Sequence, residues 1–414
     1  MSALAGFRVI ELANERIAFA GKLLADMGAD VILVEPPGGD PARAFPPFLD
    51  DSPGPERSLW WWHYHTSKRG VTLNLDRPED RRRLEALVGG ADILLESEPR
   101  GRLAALSLDY DDLKAVRPEL IFVSMTPFGR SGSDAPATDL TLLAGGGPAW
   151  SCGYDDHALP PVRGGGNQGY HTACHFAAMS ALTALFWRLS SGEGQFIDVS
   201  MHQAQNVTTE AGSYSWLVAR QTVQRQTGRH AAVVMTQETQ MRCSDGRWVN
   251  TGVPPRAPAD YAAILGWVRE LGLEEGFPEA VFLEMGGAME KPLTYDRIGV
   301  DDEATAIFMA GREALALIAA NVSAAAFFVG CQRRGIAVGV IYAPEEAFED
   351  EHFRARGFQV PVTHADLGRT FRYPGAPYRM TASPWRIARR APKLGEHNDE
   401  VLGAAAEATG AAAG

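Results

Sequence analysis

The first 35 residues alternate between short apolar runs and a segment whose apolar positions recur at helical spacing. The run GFRVIELA predicts a strand, IAFAGKLLADMGAD a helix, and VILVEP a second strand. Further strand-like runs, separated by helical stretches, occupy residues 91–98, 120–129 and 195–201. We predict an α/β fold in which helices cover a parallel sheet, an architecture that places ligands at the carboxyl ends of its strands.

The pattern changes near residue 220. Residues 220–242 are polar and rich in glutamine, and residues 246–255 predict a strand that leaves a turn. Residues 261–331 are mostly helical by pattern, GIAVGVIYAP predicts one more strand, and residues 343–391 read as extended connection. We therefore place a domain boundary near residue 220. Two domains are also expected from a length of 414 residues, because single hydrophobic cores seldom grow beyond about 250–300 residues.

Charge and cysteine content exclude several classes of function. The chain carries 39 Lys+Arg and 51 Asp+Glu, a net charge of −12, which argues against nucleic acid or an anionic membrane as the main partner. Its four cysteines lie far apart without a C-x-x-C pair, so neither a zinc knuckle nor a disulfide framework is expected. No run of about 18 apolar residues is present. We expect a cytoplasmic protein that acts on small molecules.

A glycine-rich stretch, GGGNQGYHTACHFAAM at 164–179, precedes a helix of small residues. Gly164, Gly166 and Gly169 satisfy G-x-G-x-x-G, but no apolar strand stands directly before them, which argues against a dinucleotide site. His171 and His175 have the spacing of two metal ligands on one helix face. Because no third ligand can be nominated, we expect no metal site.

A second informative stretch is LWWWHYHTSKRGVTLNLD at 59–76, where aromatic rings precede Lys68 and Arg69. Cations beside aromatic faces could hold a phosphate and a purine ring together. The alternative is an aromatic core patch followed by a solvated turn, since aromatic residues dominate cores. Composition alone leaves both interpretations open. Further along, Asp139 opens a predicted helix and is expected to interact with its N-terminus.

Several segments together resemble the family III CoA-transferases (CaiB/BaiF), which include formyl-CoA transferase, carnitine CoA-transferase and α-methylacyl-CoA racemases. The segments that carry the resemblance are LLADMGADVILVEPPGGDPAR, HTSKRGVTLNL, FVSMTPFGRSG, ATDLTLLAGG, SSGEGQFIDVSM and APKLGEHNDEVL. The resemblance implies a large Rossmann-like domain over residues 1–220, completed by 343–414. It also implies a smaller α+β domain with linkers over 221–342, and an interlocked homodimer.

The resemblance further implies coenzyme A or an acyl-CoA as substrate, with no permanently bound cofactor. The residues that match the family's CoA-binding positions are Glu15, Arg16, Thr66, Ser67, Lys68, Arg69, Ser97, Arg100 and Arg102. The chain departs from the family pattern at Asn14-Glu15-Arg16, where small residues are usual. It also departs at Pro36, where a basic residue is common, and at ESEPRG, which replaces Glu-Asn-Phe-x-Pro-Gly.

The largest departure concerns the family's nucleophile, an Asp that attacks the acyl thioester. Counting back without a gap from Gly192, the position of this Asp falls on Tyr170; an insertion in the loop would move it to Gly165. A phenol cannot form the mixed anhydride that a carboxylate forms, and its ordinary pKa of about 10 suits it to donate a hydrogen bond. Tyr170 and His171 are therefore our candidates for polarising the thioester carbonyl or moving a proton.

Three functions remain after this comparison. The first is CoA transfer between an acyl-CoA and a carboxylic acid by an atypical mechanism. The second is racemisation, which needs a His near the ATDL segment, where this chain has Thr138. The third is a catalytically silent CoA-binding subunit that pairs with an active homologue, because loss of the nucleophile leaves the scaffold in place.

Overall fold

The computed structural model describes residues 2–209, 211–252 and 254–403. Its first helices and strands are β1 (Arg8–Leu12), α1 (Ala18–Asp26), β2 (Asp30–Glu35), α2 (Leu59–Tyr64), β3 (Arg69–Thr72), α3 (Pro78–Gly89), β4 (Ile93–Glu96), α4 (Arg102–Ala105), α5 (Tyr110–Val116), β5 (Ile121–Thr126), α6 (Asp139–Gly146), α7 (Gln168–Ser191), β6 (Gln195–Ser200), α8 (Met201–Val207) and α9 (Ala211–Tyr214).

The remaining elements are β7 (Gln224–Gln226), β8 (Arg229–Ala232), β9 (Gln240–Arg242), β10 (Trp248–Thr251), α10 (Pro258–Glu270), α11 (Ala280–Ala288), α12 (Asp302–Asn321), α13 (Ala324–Arg333), β11 (Val338–Val340), α14 (Pro344–Ala347), α15 (Glu351–Arg356), β12 (Gln359–His364) and β13 (Arg369–Pro374). The stretch 343–391, expected to be extended connection, instead contains two short helices and the antiparallel hairpin of β12 and β13. Prolines and glycines within it hid the strand alternation.

A six-stranded parallel sheet has the order β3-β2-β1-β4-β5-β6. This order reverses between β1 and β4, whose register pairs Val9 with Ile93 and Glu11 with Leu95. Side chains alternate between its two faces, so Val9 and Ile93 join the core beneath α1 and α7, whereas Ile10 joins the core beneath α3 and α5. Both faces are covered, which explains the nearly continuous apolar runs of these strands. The predicted mixed α/β fold with a parallel sheet is confirmed.

Contacts divide the chain into two compact units. The larger contains residues up to 152, 161–223 and those from 350 onward, and the smaller contains 153–160 and 224–349. The smaller unit holds a three-stranded sheet of order β11-β10-β9 and a core built from α10 to α13. The domain boundaries predicted from the sequence lie at 220/221 and 342/343. That residues 1–220 and 343–414 form a CoA-binding domain stays a prediction. Residues 404–414 of this range lie outside the described residues.

Within the described ranges, no helix combines the length and apolar character needed to cross a membrane.

Candidate active site

The strand order reverses between β1 and β4, and in such sheets ligands usually bind outside the carboxyl ends of the strands at the point of reversal. The loop that leaves β1 contains Asn14, Glu15 and Arg16, and the loop that leaves β4 begins at Ser97. Asn14 ties the two loops together: its amide nitrogen donates to the Ser97 carbonyl at 3.4 Å, and its amide oxygen accepts the Arg16 backbone N–H at 3.1 Å. The site is therefore built on two neighbouring strand ends.

The N-terminus of α7 brings Tyr170 to this region. Asn167, the residue before the helix, makes no side-chain cap, and Asp139 supplies the missing acceptor: its Oδ1 takes the Tyr170 backbone N–H at 3.0 Å. Gly169 permits this approach, because a Cβ there would lie 2.9 Å from the same oxygen. A helix leaves its first N–H groups unpaired, so a carboxylate from a different element fixes where α7 begins.

The glycine loop before α7 curls around an arginine. Arg163 Nη1 donates to the carbonyls of Gly164 at 3.2 Å and Gly166 at 2.6 Å, and it lies 3.3 Å from Asp139 Oδ2. Gly166 has a φ of +75°, which a side chain would strain. Both oxygens of the Asp139 carboxylate are thereby engaged in holding the loop and the helix.

The Tyr170 side chain is 5% exposed. Burial raises the pKa of its phenol, the charge of Glu15 raises the same pKa further, and a hydrogen bond from the Arg16 side chain opposes both. Tyr170 is therefore a protonated hydrogen-bond donor at neutral pH. Glu15, Arg16 and Tyr170, predicted separately from the sequence, come together here.

The loop after β1 is fastened against α7. The Cys174 thiol, one turn after Tyr170, donates to the Arg16 carbonyl at 3.0 Å, and Arg16 Nη2 donates to the Ala137 carbonyl at 3.4 Å. Burial raises the pKa of Glu15, which the neighbouring Arg16 partly offsets. Burial also raises the pKa of Glu98 in the loop after β4. Two carboxylates thus lie at the two strand ends.

His171 forms a short contact with a tyrosine of α2. Its Nε2 lies 2.7 Å from the Tyr64 hydroxyl, and its ring stacks on Phe19 with a centroid distance of 4.3 Å. Burial lowers the pKa of His171 and raises that of Tyr64 to about 12, so both groups are neutral near pH 7. His175 Nδ1 lies 2.8 Å from the His171 carbonyl. In the part of the chain that the structure describes, no group of three His, Cys, Asp or Glu side chains could hold a metal ion.

The residues of HTSKRG that are predicted to bind CoA lie in the larger unit, where Thr66 and Lys68 are buried. The Thr66 hydroxyl is 3.0 Å from both Asp26 oxygens, and the Ser67 hydroxyl is 2.5 Å from Asp26 Oδ1. Lys68 is fully buried, pairs with Glu11 at 2.7 Å, and donates to the Ala18 carbonyl at 2.9 Å. These polar groups have protein partners, and a role for them in CoA binding stays a prediction.

The aromatic residues before this segment divide between core and surface. Trp61 and Trp62 are buried, and the Arg43 guanidinium lies 4.0 Å above the Trp61 ring. The Trp61 indole N–H donates to the Pro392 carbonyl at 3.2 Å. Trp60 keeps part of its ring exposed beside Tyr64, with a centroid distance of 4.3 Å. The core interpretation therefore accounts for Trp61 and Trp62.

The remaining predicted CoA contacts have separate partners. Three of these residues are arginines that form ion pairs within the protein: Arg69 with Asp30 at 2.7 Å and Glu400 at 2.8 Å, Arg100 with Asp134, and Arg102 with Asp76 at 2.8 Å. The fourth is Ser97, whose hydroxyl donates to the Met125 carbonyl at 2.6 Å. The side chains of Arg100 and Arg102 keep more than two fifths of their surface exposed.

Sequence reasoning assigned no site role to Tyr64 and Glu98, and it related Asp139 only to its own helix. The contact of Asp139 with α7 spans 31 residues, and that of Tyr64 with His171 spans 107. No local pattern encodes such pairs. For Glu98 a signal existed, because it lies two residues after β4, in a loop at the strand ends where a ligand is predicted to bind.

Comparisons with known proteins agree with this architecture. The family model for CoA-transferase family III matches residues 4–398. Succinyl-CoA:(R)-benzylsuccinate CoA-transferase subunit BbsE of Thauera aromatica is 31% identical over 404 residues, which covers 96% of this chain and 92% of the relative. Succinate–glutarate CoA-transferase of Agrobacterium fabrum is 28% identical and covers 96% of this chain and 94% of its own length.

Among solved structures, a CAIB/BAIF family protein from Brucella suis superimposes with a TM-score of 0.78 at 23% identity, covering 98% of this chain and 99% of that one. The fold is shared along the whole length, and the family resemblance inferred from the sequence segments is confirmed. With a family model that spans nearly all of it, the chain belongs to CoA-transferase family III.

Proposed function

We propose that this protein moves CoA between an acyl-CoA thioester and a carboxylic acid. The observation that carries the proposal is the family match over residues 4–398. It is supported by two relatives named as CoA-transferases, which match this chain over 92% and 94% of their own length. Coenzyme A enters as a substrate, and we propose no permanently bound cofactor.

Tyr170 stands where the family keeps its nucleophilic Asp, which makes the mechanism atypical. A protonated phenol that Arg16 holds can donate to the thioester carbonyl oxygen as negative charge develops there. His171, neutral and paired with Tyr64, is the proposed proton carrier beside it. These two residues would polarise the thioester while a carboxylate attacks it.

CoA itself would lie along the strand ends of the parallel sheet, and several of the proposed contacts are cationic. The residues proposed to bind it are Glu15, Arg16, Thr66, Ser67, Lys68, Arg69, Ser97, Arg100 and Arg102. Arg100 and Arg102 suit phosphate groups best, because their guanidinium groups are partly exposed and their ion pairs with Asp134 and Asp76 are exposed as well. We further propose a cytoplasmic homodimer.

The donor is proposed to be succinyl-CoA, since several relatives carry that compound in their names. Purified protein would be incubated with succinyl-CoA and a panel of carboxylic acids, including benzylsuccinate and glutarate, and thioester products identified by mass spectrometry. We expect at least one new acyl-CoA. Tight CoA binding without any exchange would refute CoA transfer by this chain alone.

A second candidate function is a silent subunit that needs an active homologue. Two observations favour it: a phenol at position 170 cannot form an anhydride, and relatives from Thauera aromatica and Chloroflexus aurantiacus are named as subunits. Mixing with a purified family member that has an Asp at this position would then give a heteromer by native mass spectrometry and restore exchange. Racemisation has less support, because Thr138 caps α6 where a proton-transferring His would be needed.

A further inference from the structure

Gln205 of α8 reaches the first turn of α7. Its side-chain amide nitrogen donates to the Gly169 carbonyl at 2.8 Å and, within its own helix, to the Met201 carbonyl at 3.0 Å. The residue is fully buried. Because only the nitrogen of a side-chain amide can donate, these two carbonyls fix which way the amide group points. Gln205 is therefore a buried donor with a single orientation.

Gln205 and Asp139 hold the same peptide group from its two sides. This group joins Gly169 to Tyr170: its carbonyl accepts from Gln205, and its N–H donates to Asp139 Oδ1 at 3.0 Å. A peptide group is planar, so two contacts on opposite edges fix the orientation of the whole plane. The orientation of this plane determines where the Cα of Tyr170 lies, and hence where its side chain starts.

The helix that carries Gln205 is itself packed against α6. A Cβ at Gly146 of α6 would lie 2.3 Å from the Gln205 Cβ, so the two helices meet at a glycine that leaves no room for a side chain. The next residue, Asn206, donates from its side chain to the Gly146 carbonyl at 3.1 Å. The two contacts on the peptide group therefore come from two helices that are fixed to each other.

The second polar atom of the Gln205 amide shows that stability alone does not account for this residue. Its side-chain oxygen is buried and lacks a hydrogen-bond partner among the described residues. A buried acceptor without a donor lowers the stability of the folded state, and an apolar side chain of similar size would avoid this cost. The Gly169 carbonyl lies in a helix, where the N–H four residues further on is its ordinary donor. What Gln205 adds is a fixed orientation of the peptide group before Tyr170.

We propose that Gln205 is a positioning residue, which holds the Tyr170 phenol where it can donate to the thioester; this inference rests on the proposed role of Tyr170 in CoA transfer. Gln205 acts through Tyr170 and not by contact with the substrate. A donor to a developing oxyanion must lie close to its productive position, because a displacement of about 1 Å can lower a rate by about 100-fold. Loosening this peptide group should therefore slow catalysis without unfolding the protein.

Gln205→Met tests the proposal, because methionine has a similar length and no amide donor. We expect kcat for exchange with succinyl-CoA to fall by about 10- to 100-fold, with little change in KM or in the urea midpoint. Gln203→Met is the matched control, since Gln203 lies on the same helix and is exposed. This control should leave kcat unchanged.

A double-mutant cycle separates positioning from a general structural role. In a Tyr170→Phe background, Gln205→Met should lower kcat no further, because the hydroxyl through which Gln205 acts is absent. An equal fall in both backgrounds would overturn the inference and leave CoA transfer standing. An unchanged kcat when Gln205→Met is the single substitution would do the same.

A measurement without substrate tests the inference even if the chain proves inactive. NMR of full-length protein with isotope-labelled tyrosine Cζ reports the surroundings of each phenol, and Tyr170→Phe assigns the Tyr170 signal. We expect Gln205→Met to shift this signal and Gln203→Met to leave it in place. An unshifted signal in Gln205→Met would overturn the inference. A shifted signal without exchange in the wild type would support the positioning of Tyr170 and refute CoA transfer by this chain alone.

Discussion

At the scale of single residues, two side chains define the candidate site, Tyr170 and Asp139. Burial and the charge of Glu15 raise the pKa of the Tyr170 phenol, so this side chain is protonated at neutral pH. Asp139 has its oxygens committed to the Tyr170 N–H and to Arg163. We proposed Tyr170 as a hydrogen-bond donor to the thioester, whereas the contacts of Asp139 hold the glycine loop and the start of α7 in place.

Tyr170→Phe removes the hydroxyl and leaves the ring that fills the core beneath α7. We expect kcat for exchange to fall by about 100- to 1,000-fold with little change in KM, because a donor to a developing oxyanion acts mainly in the transition state. Steady-state kinetics with succinyl-CoA measure this. Unchanged kcat would remove the phenol from the mechanism.

Asp139→Ala leaves the Tyr170 N–H without its acceptor. We expect the free energy of unfolding to fall by about 1–3 kcal/mol, the cost of a buried donor that loses its partner. Asp139→Asn is the matched control, because its amide oxygen can still accept this N–H and the loss should be smaller. Urea denaturation distinguishes the two, and equal losses would contradict the capping role.

At the scale of elements, α1 packs on the sheet through a glycine. Gly21 faces Glu11 of β1, and a Cβ at this position would lie 1.6 Å from Glu11 Oε2. Glu11 in turn forms the fully buried ion pair with Lys68. The distance between helix and strand is therefore set by a buried carboxylate that needs room, and by its lysine partner.

Gly21→Ala should overpack this contact. We expect a loss of at least about 1–3 kcal/mol in the free energy of unfolding, since the carboxylate must move away from Lys68. Gly266→Ala, in the interior of α10 with no atom near its Cβ position, is the control. It should stabilise by up to about 1 kcal/mol, the ordinary preference of a helix for alanine. Similar effects of both substitutions would show that the contact with Glu11 is unimportant.

At the scale of the whole molecule, neutral buried histidines link stability to pH. His65 is 1% exposed, and its Nδ1 lies 3.1 Å from Lys68 Nζ. Burial, and then the charges of Lys68 and Arg43, hold the pKa of His65 well below its usual value of 6.5. Below that pH the unfolded chain gains a proton at His65 and the folded chain does not. This residue therefore destabilises the protein as the pH falls from 6.5.

His65→Gln should remove this dependence while keeping a side-chain acceptor for Lys68. Below pH 6, the free energy of unfolding of the wild type should fall relative to that of the variant by about 1.4 kcal/mol for each pH unit. Above pH 7, the difference between the two proteins should stay constant. Urea denaturation at several pH values gives the two curves. Parallel curves down to pH 5 would contradict a neutral His65 in the folded state.

The order of apolar runs was enough to predict the parallel sheet. Strands such as β1 and β2 are buried on both faces, and their continuous apolar sequence reports this directly. The hairpin of β12 and β13 was missed because its prolines and glycines interrupt the alternation by which strands are recognised. Family membership also followed from the sequence, since its motifs recur in order along the chain.

What only the tertiary structure decided is which polar groups remain free. All three of Glu15, Lys68 and Tyr170 are predicted from the sequence as site residues. Whether each side chain is buried or paired depends on residues far away along the chain. Lys68 is fully buried beside Glu11, 57 positions away, whereas the Glu15 carboxylate accepts no hydrogen bond from a described side chain. The periodicity of the sequence indicates which face of a helix or strand is apolar. Hydrogen bonds between distant elements leave no periodic pattern, so they cannot be predicted in this way. The sequence therefore determined the sheet and the family, and the fold decided which side chains are free to act.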